Sequence, residues 1–247
     1  MSLSPRQKNI IILLALYWPA IFILSHIPIP KVVYQAQVSD KVLHILVYLI
    51  LVFLAWFAVS PDGKVNWRRA PAWWVLFTMV VYGIVDEWLQ TFVGRYGDPM
   101  DFLADIAGVL AGLIVLSVFT FWPAALVVTA AVIFMLTNLA RTNPAELLPL
   151  TNALFHLLSY ALFTALWVRI CGDLLAGRQA KLKWLLTILS LPAGLLITVK
   201  LSAVLLNRHF GLQNFVLASA GIIIVVNASF IINLVRGNLP THSKPAD

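Results

Sequence analysis

Residues that could do acid–base or anion-binding chemistry are concentrated in the first half of this chain of 247 residues. They lie in or next to three apolar segments. In chain order they are Asp40, His44, Tyr48, Asp86, Glu87, Gln90, Arg95, Asp101 and Asp105. Within each segment most of them are three or four positions apart, which gathers them on one face of a helix. Together they offer carboxylates, an imidazole, a guanidinium and an amide to a ligand.

Carboxyl groups within a membrane span are usually paired with a cation, exposed to water or protonated, and a functional role is the first hypothesis for them. Burial favours the neutral acid, whereas a neighbouring cation favours the carboxylate, so such acids can exchange protons near neutral pH. Arg95 and His44 suit a phosphate oxygen. We therefore predict His44, Glu87 and Asp101 as the catalytic residues. The predicted substrate-binding residues are Arg95, Gln90, Asp86, Tyr48, Asp40 and Asp105.

Two alternatives stay open for this site. His44 and Tyr48 could be structural hydrogen-bonding groups, because His156 and Tyr160 recur in the second half without the acids. The acids with His44 could also hold a divalent cation, although no compact motif such as HExxH is present, and the sequence predicts no dedicated metal or cofactor. No serine or cysteine stands next to the motif, which leaves open whether the chain is an enzyme.

The elements that must position these residues are membrane-spanning helices. The chain is 61% hydrophobic and 11% charged, and runs of about 20 apolar residues, the length that crosses a bilayer as a helix, recur along it. The runs do not alternate as barrel strands would. The predicted spans are about 9–27, 42–60, 72–93, 102–121, 123–140, 150–171, 184–206 and 214–235. The predicted fold is an all-α, polytopic membrane protein.

Basic residues predict the orientation of the spans. With the N-terminus inside, the inner segments hold eleven Lys and Arg and the outer segments five, and Lys200 lies inside a span. By the positive-inside rule both termini are cytoplasmic, and the titratable cluster faces outward. The net charge of +7 is then a topology signal and a contact for anionic lipid rather than for nucleic acid. The single Cys171 excludes an intrachain disulfide.

The chain also repeats itself imperfectly. The segment 40–48 returns 112 residues later as 152–160, and 95–108 returns at an offset of 113 as 208–221. Three acids and a glutamine do not return: Lys200, Ala203, Asn214 and Ala218 stand at the positions that match Glu87, Gln90, Asp101 and Asp105. Four spans per half is an even number, so both copies enter the bilayer in the same direction. This predicts two parallel four-helix repeats, 1–121 with the polar site and 122–247 as a degenerate copy.

The motifs of the first half resemble those of the VanZ-like family of bacterial integral membrane proteins. The likeness lies in Asp40-Lys41-x-x-His44-x-x-x-Tyr48, Asp86-Glu87-x-x-Gln90-x-Phe92, Gly94-Arg95 and Asp101-x-x-x-Asp105-x-x-Gly108. It covers about residues 10–120. The family usually has asparagine where this chain has Asp105. The resemblance implies a role in the cell envelope, because the family name comes from a member associated with low-level resistance to the glycopeptide teicoplanin.

We expect this site to bind or process an anionic lipid or a lipid-linked envelope precursor at the outer leaflet, with a link to glycopeptide resistance. Arg95 and His44 would contact the head group, and Glu87 and Asp101 would accept or donate protons. One alternative is a proton-coupled transporter of lipid or a small solute. Another is a non-catalytic partner of an envelope enzyme. A further hypothesis is that Lys200 pairs with an acid of the first half or helps to hold an anion.

Overall fold

The computed structural model describes residues 3–27, 39–93, 97–139, 144–174 and 181–238. Within these ranges the chain forms nine α-helices and one turn of 3-10 helix at Thr91–Val93, and it has no strand. The helices are α1 Pro5–His26, α2 Asp40–Val59, α3 Ala70–Gln90, α4 Pro99–Val118, α5 Phe121–Leu139, α6 Pro144–Leu147, α7 Pro149–Leu174, α8 Lys181–Leu205 and α9 Leu212–Asn238.

Eight of these helices, all except α6, are long and apolar enough to cross a membrane. The predicted all-α membrane fold is therefore confirmed, and the helix ends lie within a few residues of the predicted ones. Local sequence sets two of the starts. Ser4 accepts a hydrogen bond from the Gln7 N–H at the start of α1, and Asp98 accepts one from the Met100 N–H at the start of α4. A proline follows each of these capping residues, where its missing N–H costs nothing.

The chain divides into two compact units. Unit 1 is residues 1–143 with 207–209, and unit 2 is residues 144–206 with 210–247. Helix α5 packs on α2 and α4 and so belongs to unit 1. The internal repeat and its predicted boundary between residues 121 and 122 stay predictions.

Helices α2 and α4 form the most extensive helix pair of unit 1. A glycine allows their backbones to approach closely: a methyl group on Gly108 would overlap the main-chain carbonyl of Ile45. Below this contact Leu51, Val52, Leu113 and Leu116 are completely buried between the helices. The apolar core therefore fixes the spacing of the two helices whose N-terminal ends carry most of the titratable residues.

Replacing Gly108 by alanine is expected to destabilise unit 1 by about 1–3 kcal/mol, the usual cost of overpacking a closely fitted core. The added methyl group meets backbone rather than a mobile side chain, so the helices must separate. The measurement is thermal unfolding in detergent. Gly194→Ala is the matched control, because a methyl group there has no heavy atom within 4 Å. Equal melting temperatures for the two variants would show that α2 and α4 do not pack this closely.

Unit 2 has a similar close pair, formed by α7 and α9. A methyl group on Gly221 would overlap the carbonyl of Leu157. At the end of this pair Asn152 Nδ2 donates to Asn214 Oδ1 at 2.7 Å, and both side chains are buried. Lys200 donates to the carbonyl oxygen of Phe210 at 2.6 Å; its pairing with an acid of the first half stays a prediction.

The two ends of unit 1 differ in their charges. At one end Arg6 pairs with Asp62 and donates to the carbonyl of Pro61, close to the basic segment that holds Lys64, Arg68 and Arg69. The other end holds the acids and histidines of α1–α4. This separation is the one on which the orientation was predicted, and the orientation itself stays a prediction.

Candidate functional site

The ends of four helices in unit 1 meet in one group of polar side chains, which we call the polar cluster. The N-terminal turns of α2 and α4 and the C-terminal turns of α1 and α3 supply it. Its members are Ser25, His26, Asp40, Lys41, His44, Tyr48, Tyr82, Asp86, Glu87, Gln90, Asp98, Asp101 and Asp105. Because rigid helices carry most of these groups, packing rather than a flexible loop determines their positions.

His44 is at the centre of the cluster. Its Nδ1 lies 2.8 Å from Asp105 Oδ1, and its Nε2 lies 3.9 Å from Asp101 Oδ2 and 4.0 Å from Asp40 Oδ1. Asp105 is only 1% exposed. A short bond to a buried carboxylate fixes the orientation of the imidazole ring, so its second nitrogen faces the two more exposed acids.

Lys41 bridges two acids at the rim of the cluster. Its Nζ lies 2.9 Å from Asp98 Oδ2 and 3.2 Å from Asp101 Oδ1. Asp98 also accepts the N–H of Met100, and this bond together with the Lys41 ammonium holds the pKa of Asp98 below its usual range. The Asp98 carboxylate is thus ionised through the whole neutral range and loses its charge only as the pH falls to that lowered value.

Glu87 joins the cluster from α3. Its Oε2 accepts the main-chain N–H of Asp98 at 3.0 Å. Its Oε1 is buried and has no hydrogen-bond partner among the residues that the structure describes. Single ligand atoms of His44, Glu87 and Asp105 all lie within 4.8 Å of one another, and the same holds for Asp40, His44 and Asp101.

Asp86 belongs to a neighbouring network on the side of α1. Ser25 Oγ donates to Asp86 Oδ1 at 3.0 Å, and Gln90 Nε2 donates to Asp86 Oδ2 at 3.0 Å. The Tyr82 hydroxyl lies 3.5 Å from Asp86 Oδ1, and His26 Nδ1 lies 3.8 Å from it. Asp86 and Gln90 are both buried. The Ser25–Asp86 hydrogen bond joins α1 to α3, and the Gln90–Asp86 bond lies within α3.

The predicted site residues thus fall into three groups by position. His44, Glu87, Asp101, Asp105 and Asp40 come together around the His44 ring. Asp86 and Gln90 form the adjoining network, and Tyr48 is buried beneath both, with its ring 5.9 Å from that of Tyr82. Arg95 lies outside the described residues. The catalytic and binding roles of these residues stay predictions.

Ser25, His26, Lys41, Tyr82 and Asp98 were not predicted as site residues. The sequence has no serine next to the motif, yet folding brings the Ser25 hydroxyl to Asp86 across 61 positions of the chain. The available signal was the polar pair at the end of an otherwise apolar first span, which marks that end of α1 as facing protein or water rather than lipid.

An apolar groove runs between α1 and α3 towards the cluster. It has a volume of about 580 Å³, and its lining residues are Ile11, Leu14, Ala15, Trp18, Pro19, Phe22 and Tyr82. At its upper end the ring of Phe22 lies 4.2 Å from that of His26. Tyr82, whose hydroxyl is near Asp86, forms part of the wall. One end of the groove is therefore adjacent to the polar cluster.

Comparison with known proteins agrees with the resemblance seen in the motifs. Residues 3–120 match the family model described as VanZ/LLP1. No curated protein and no solved structure matches the chain. The matched residues contain the described members of the polar cluster, all of which lie between Ser25 and Asp105.

Proposed function

We propose, from the premise that residues 3–120 belong to the VanZ-like family of membrane proteins, that the polar cluster binds an anionic lipid or a lipid-linked envelope precursor. The observation that carries this proposal is an apolar groove that lies directly beside a titratable cluster. A groove on the lipid-facing side of a membrane helix pair suits an acyl chain. The adjoining imidazole of His44 and ammonium of Lys41 suit the anionic head group of the same molecule.

We propose the outer leaflet of the bacterial cytoplasmic membrane for this site, with both termini in the cytoplasm. The support is the excess of Lys and Arg on the opposite side, where Arg6, Arg68 and Arg69 lie. The resemblance adds envelope chemistry and glycopeptide susceptibility as the setting. Whether the bound molecule is also processed depends on His44, Glu87 and Asp101, which would act as proton donors and acceptors.

A transporter is less well supported than a binding site. Alternating access needs a path from the site to both sides of the membrane. Beneath the polar cluster, however, the α2–α4 interface is filled by completely buried Leu51, Val52, Leu113 and Leu116. A substrate that enters at the cluster meets a closed apolar core rather than a second vestibule.

Lipid identification by mass spectrometry on the purified full-length protein tests the proposal. Ala15→Phe fills the groove and is expected to lower the amount of co-purified anionic lipid about fivefold or more. Leu16→Phe is its matched control, because Leu16 is 67% exposed and does not line the groove. Glu87→Gln keeps the shape of the side chain and its bond to Asp98 while it removes the charge, and it is expected to alter which head group is retained.

The proposal fails if wild type and Ala15→Phe carry the same lipids in the same amounts. It also fails if Glu87→Gln lowers the melting temperature strongly while the lipids are unchanged, because the acid would then be structural. Asp62→Asn serves as the control for the charge change: it removes an acid from the opposite end of unit 1.

A further inference from the structure

Within the described part of the chain, the polar cluster has more acids than basic groups. It includes six carboxyl groups, those of Asp40, Asp86, Glu87, Asp98, Asp101 and Asp105, against one lysine, Lys41, and two histidines, His26 and His44. Lys41 already forms ion pairs with Asp98 and Asp101 at the rim of the cluster. An anionic head group that approached these carboxylates directly would be repelled, so the charge balance favours a bound cation between them.

Two buried oxygen atoms show where the cation fits. Asp105 Oδ2 and Glu87 Oε1 are both inaccessible and have no hydrogen-bond partner within the described part of the chain. Tyr48 lies close enough to Asp105 to interact with it, but its hydroxyl also lacks a hydrogen bond of normal geometry there. Unpaired carboxylate oxygens in a 1%-exposed side chain cost free energy unless a cation or proton satisfies them.

The second unit shows how this position is satisfied when the acids are replaced. Asn152 and Asn214, which match Asp40 and Asp101 in sequence, bond directly to each other at 2.7 Å. Ala218, which matches Asp105, is completely buried and has no polar group to satisfy. Two amides can pair because each offers a donor and an acceptor, whereas two carboxylates offer acceptors alone. The acids of unit 1 therefore need a positive partner that the second unit does not need.

We propose that His44, Glu87 and Asp105 bind one divalent first-row transition-metal ion, of the Mn²⁺ or Zn²⁺ type, with Asp101 and Asp40 beside it. One imidazole nitrogen and two carboxylates form a mixed nitrogen–oxygen donor set. Such a set suits Mn²⁺ or Zn²⁺ better than it suits Mg²⁺ or Ca²⁺, which prefer sites made of oxygen ligands alone. One ligand atom from each of the three residues lies within 4.8 Å of the other two, which is close enough for all three to bind one ion. Metal ions bind the deprotonated forms of imidazole and carboxyl groups, so binding is expected to release protons.

This inference goes beyond lipid binding and does not depend on it. A bound cation would also explain how a cluster of acids could receive a phosphate group, since the metal can bridge carboxylates and phosphate oxygens. The test is therefore made on the full-length protein in detergent without added lipid. Failure to bind metal and failure to bind lipid are then separate results.

The experiment is isothermal titration of the purified, chelator-stripped protein, carrying an affinity tag without histidine, with Zn²⁺ and with Mn²⁺. Wild type is expected to bind one ion per chain and to release protons, which appears as a heat that depends on the ionisation enthalpy of the buffer. Asp105→Asn and Glu87→Gln are each expected to weaken binding at least about tenfold. Asp62→Asn, the control at the opposite end of unit 1, is expected to bind as wild type does.

X-ray absorption of the zinc-loaded wild type provides a readout that does not depend on any variant. The expected spectrum contains the scattering of one imidazole ligand and no sulfur, and His44→Gln is expected to remove the imidazole signal. The inference is overturned if wild type binds neither ion below about 100 µM, if the spectrum lacks imidazole, or if stably folded Asp105→Asn and Glu87→Gln proteins bind as tightly as wild type.

Discussion

Replacing His44 by leucine is expected to destabilise unit 1 by about 3–5 kcal/mol, the range found when one partner of a buried ion pair is removed. Asp105 is 1% exposed, and its Oδ1 lies 2.8 Å from His44 Nδ1. Leucine fills a similar volume but leaves this carboxyl group without that partner in a closely packed core. The free energy of unfolding in mixed micelles is the measured quantity.

Asp105→Ala is expected to cost much less, about 1 kcal/mol, because it removes the group that needs a partner. The double variant should then be more stable than His44→Leu alone, and a double-mutant cycle is expected to give a coupling of about 2–3 kcal/mol. His156→Leu is the matched control in unit 2, where Ala218 stands at the position of the acid. A coupling near zero would show that His44 and Asp105 are not an ion pair in the membrane.

The helices of this protein are largely predictable from hydropathy. An apolar run of about 20 residues has no other stable form in a bilayer than a helix, because every main-chain polar group must be bonded within the segment. All eight predicted spans are confirmed as long apolar helices. Gly108 lies in the fourth predicted span, and its missing side chain permits the close approach of α4 to Ile45 on α2.

The different hydrogen-bond partners of Asp86 and Glu87 were not predictable from their spacing in the sequence. Consecutive residues on a helix point about 100° apart, so the two carboxylates face different neighbours. Asp86 faces Ser25 and Gln90, whereas Glu87 faces the main chain at Asp98. Which side chain meets α1 and which meets the loop before α4 depends on the rotation of α3 about its axis. Packing sets that rotation.

Lys41 shows a second kind of missed contact. In the sequence it is one basic residue near an outer span end and one position of the family motif. In the fold it bonds to Asp98 and Asp101, which lie 57 and 60 positions away. Long-range pairs of this kind are decided by which helix ends meet, and local spacing carries no information about them.

Converting the acids of unit 1 to the residues at the matching positions of the second half is expected to abolish ligand binding while the fold survives. The variant is Asp40→Asn, Asp101→Asn and Asp105→Ala, which copies Asn152, Asn214 and Ala218. In unit 2 this combination is buried and self-satisfied, with the two amides 2.7 Å apart. The triple variant should therefore melt within a few degrees of wild type, yet retain neither metal nor anionic lipid above the background of an unrelated membrane protein.

The reciprocal variant makes the test symmetrical. Asn152→Asp with Asn214→Asp introduces two carboxylates at hydrogen-bonding distance in a buried position, and like charges so placed are strongly unfavourable. We expect a loss of stability of about 2–4 kcal/mol that added Zn²⁺ or Mn²⁺ does not restore, because Ala218 supplies no third carboxylate.

A triple variant of unit 1 that still binds lipid would show that these acids are not part of the binding site. A triple variant that fails to fold would make them structural, as expected of a non-catalytic partner protein. Only retained folding together with lost binding would show that the acids of the first half bind a ligand.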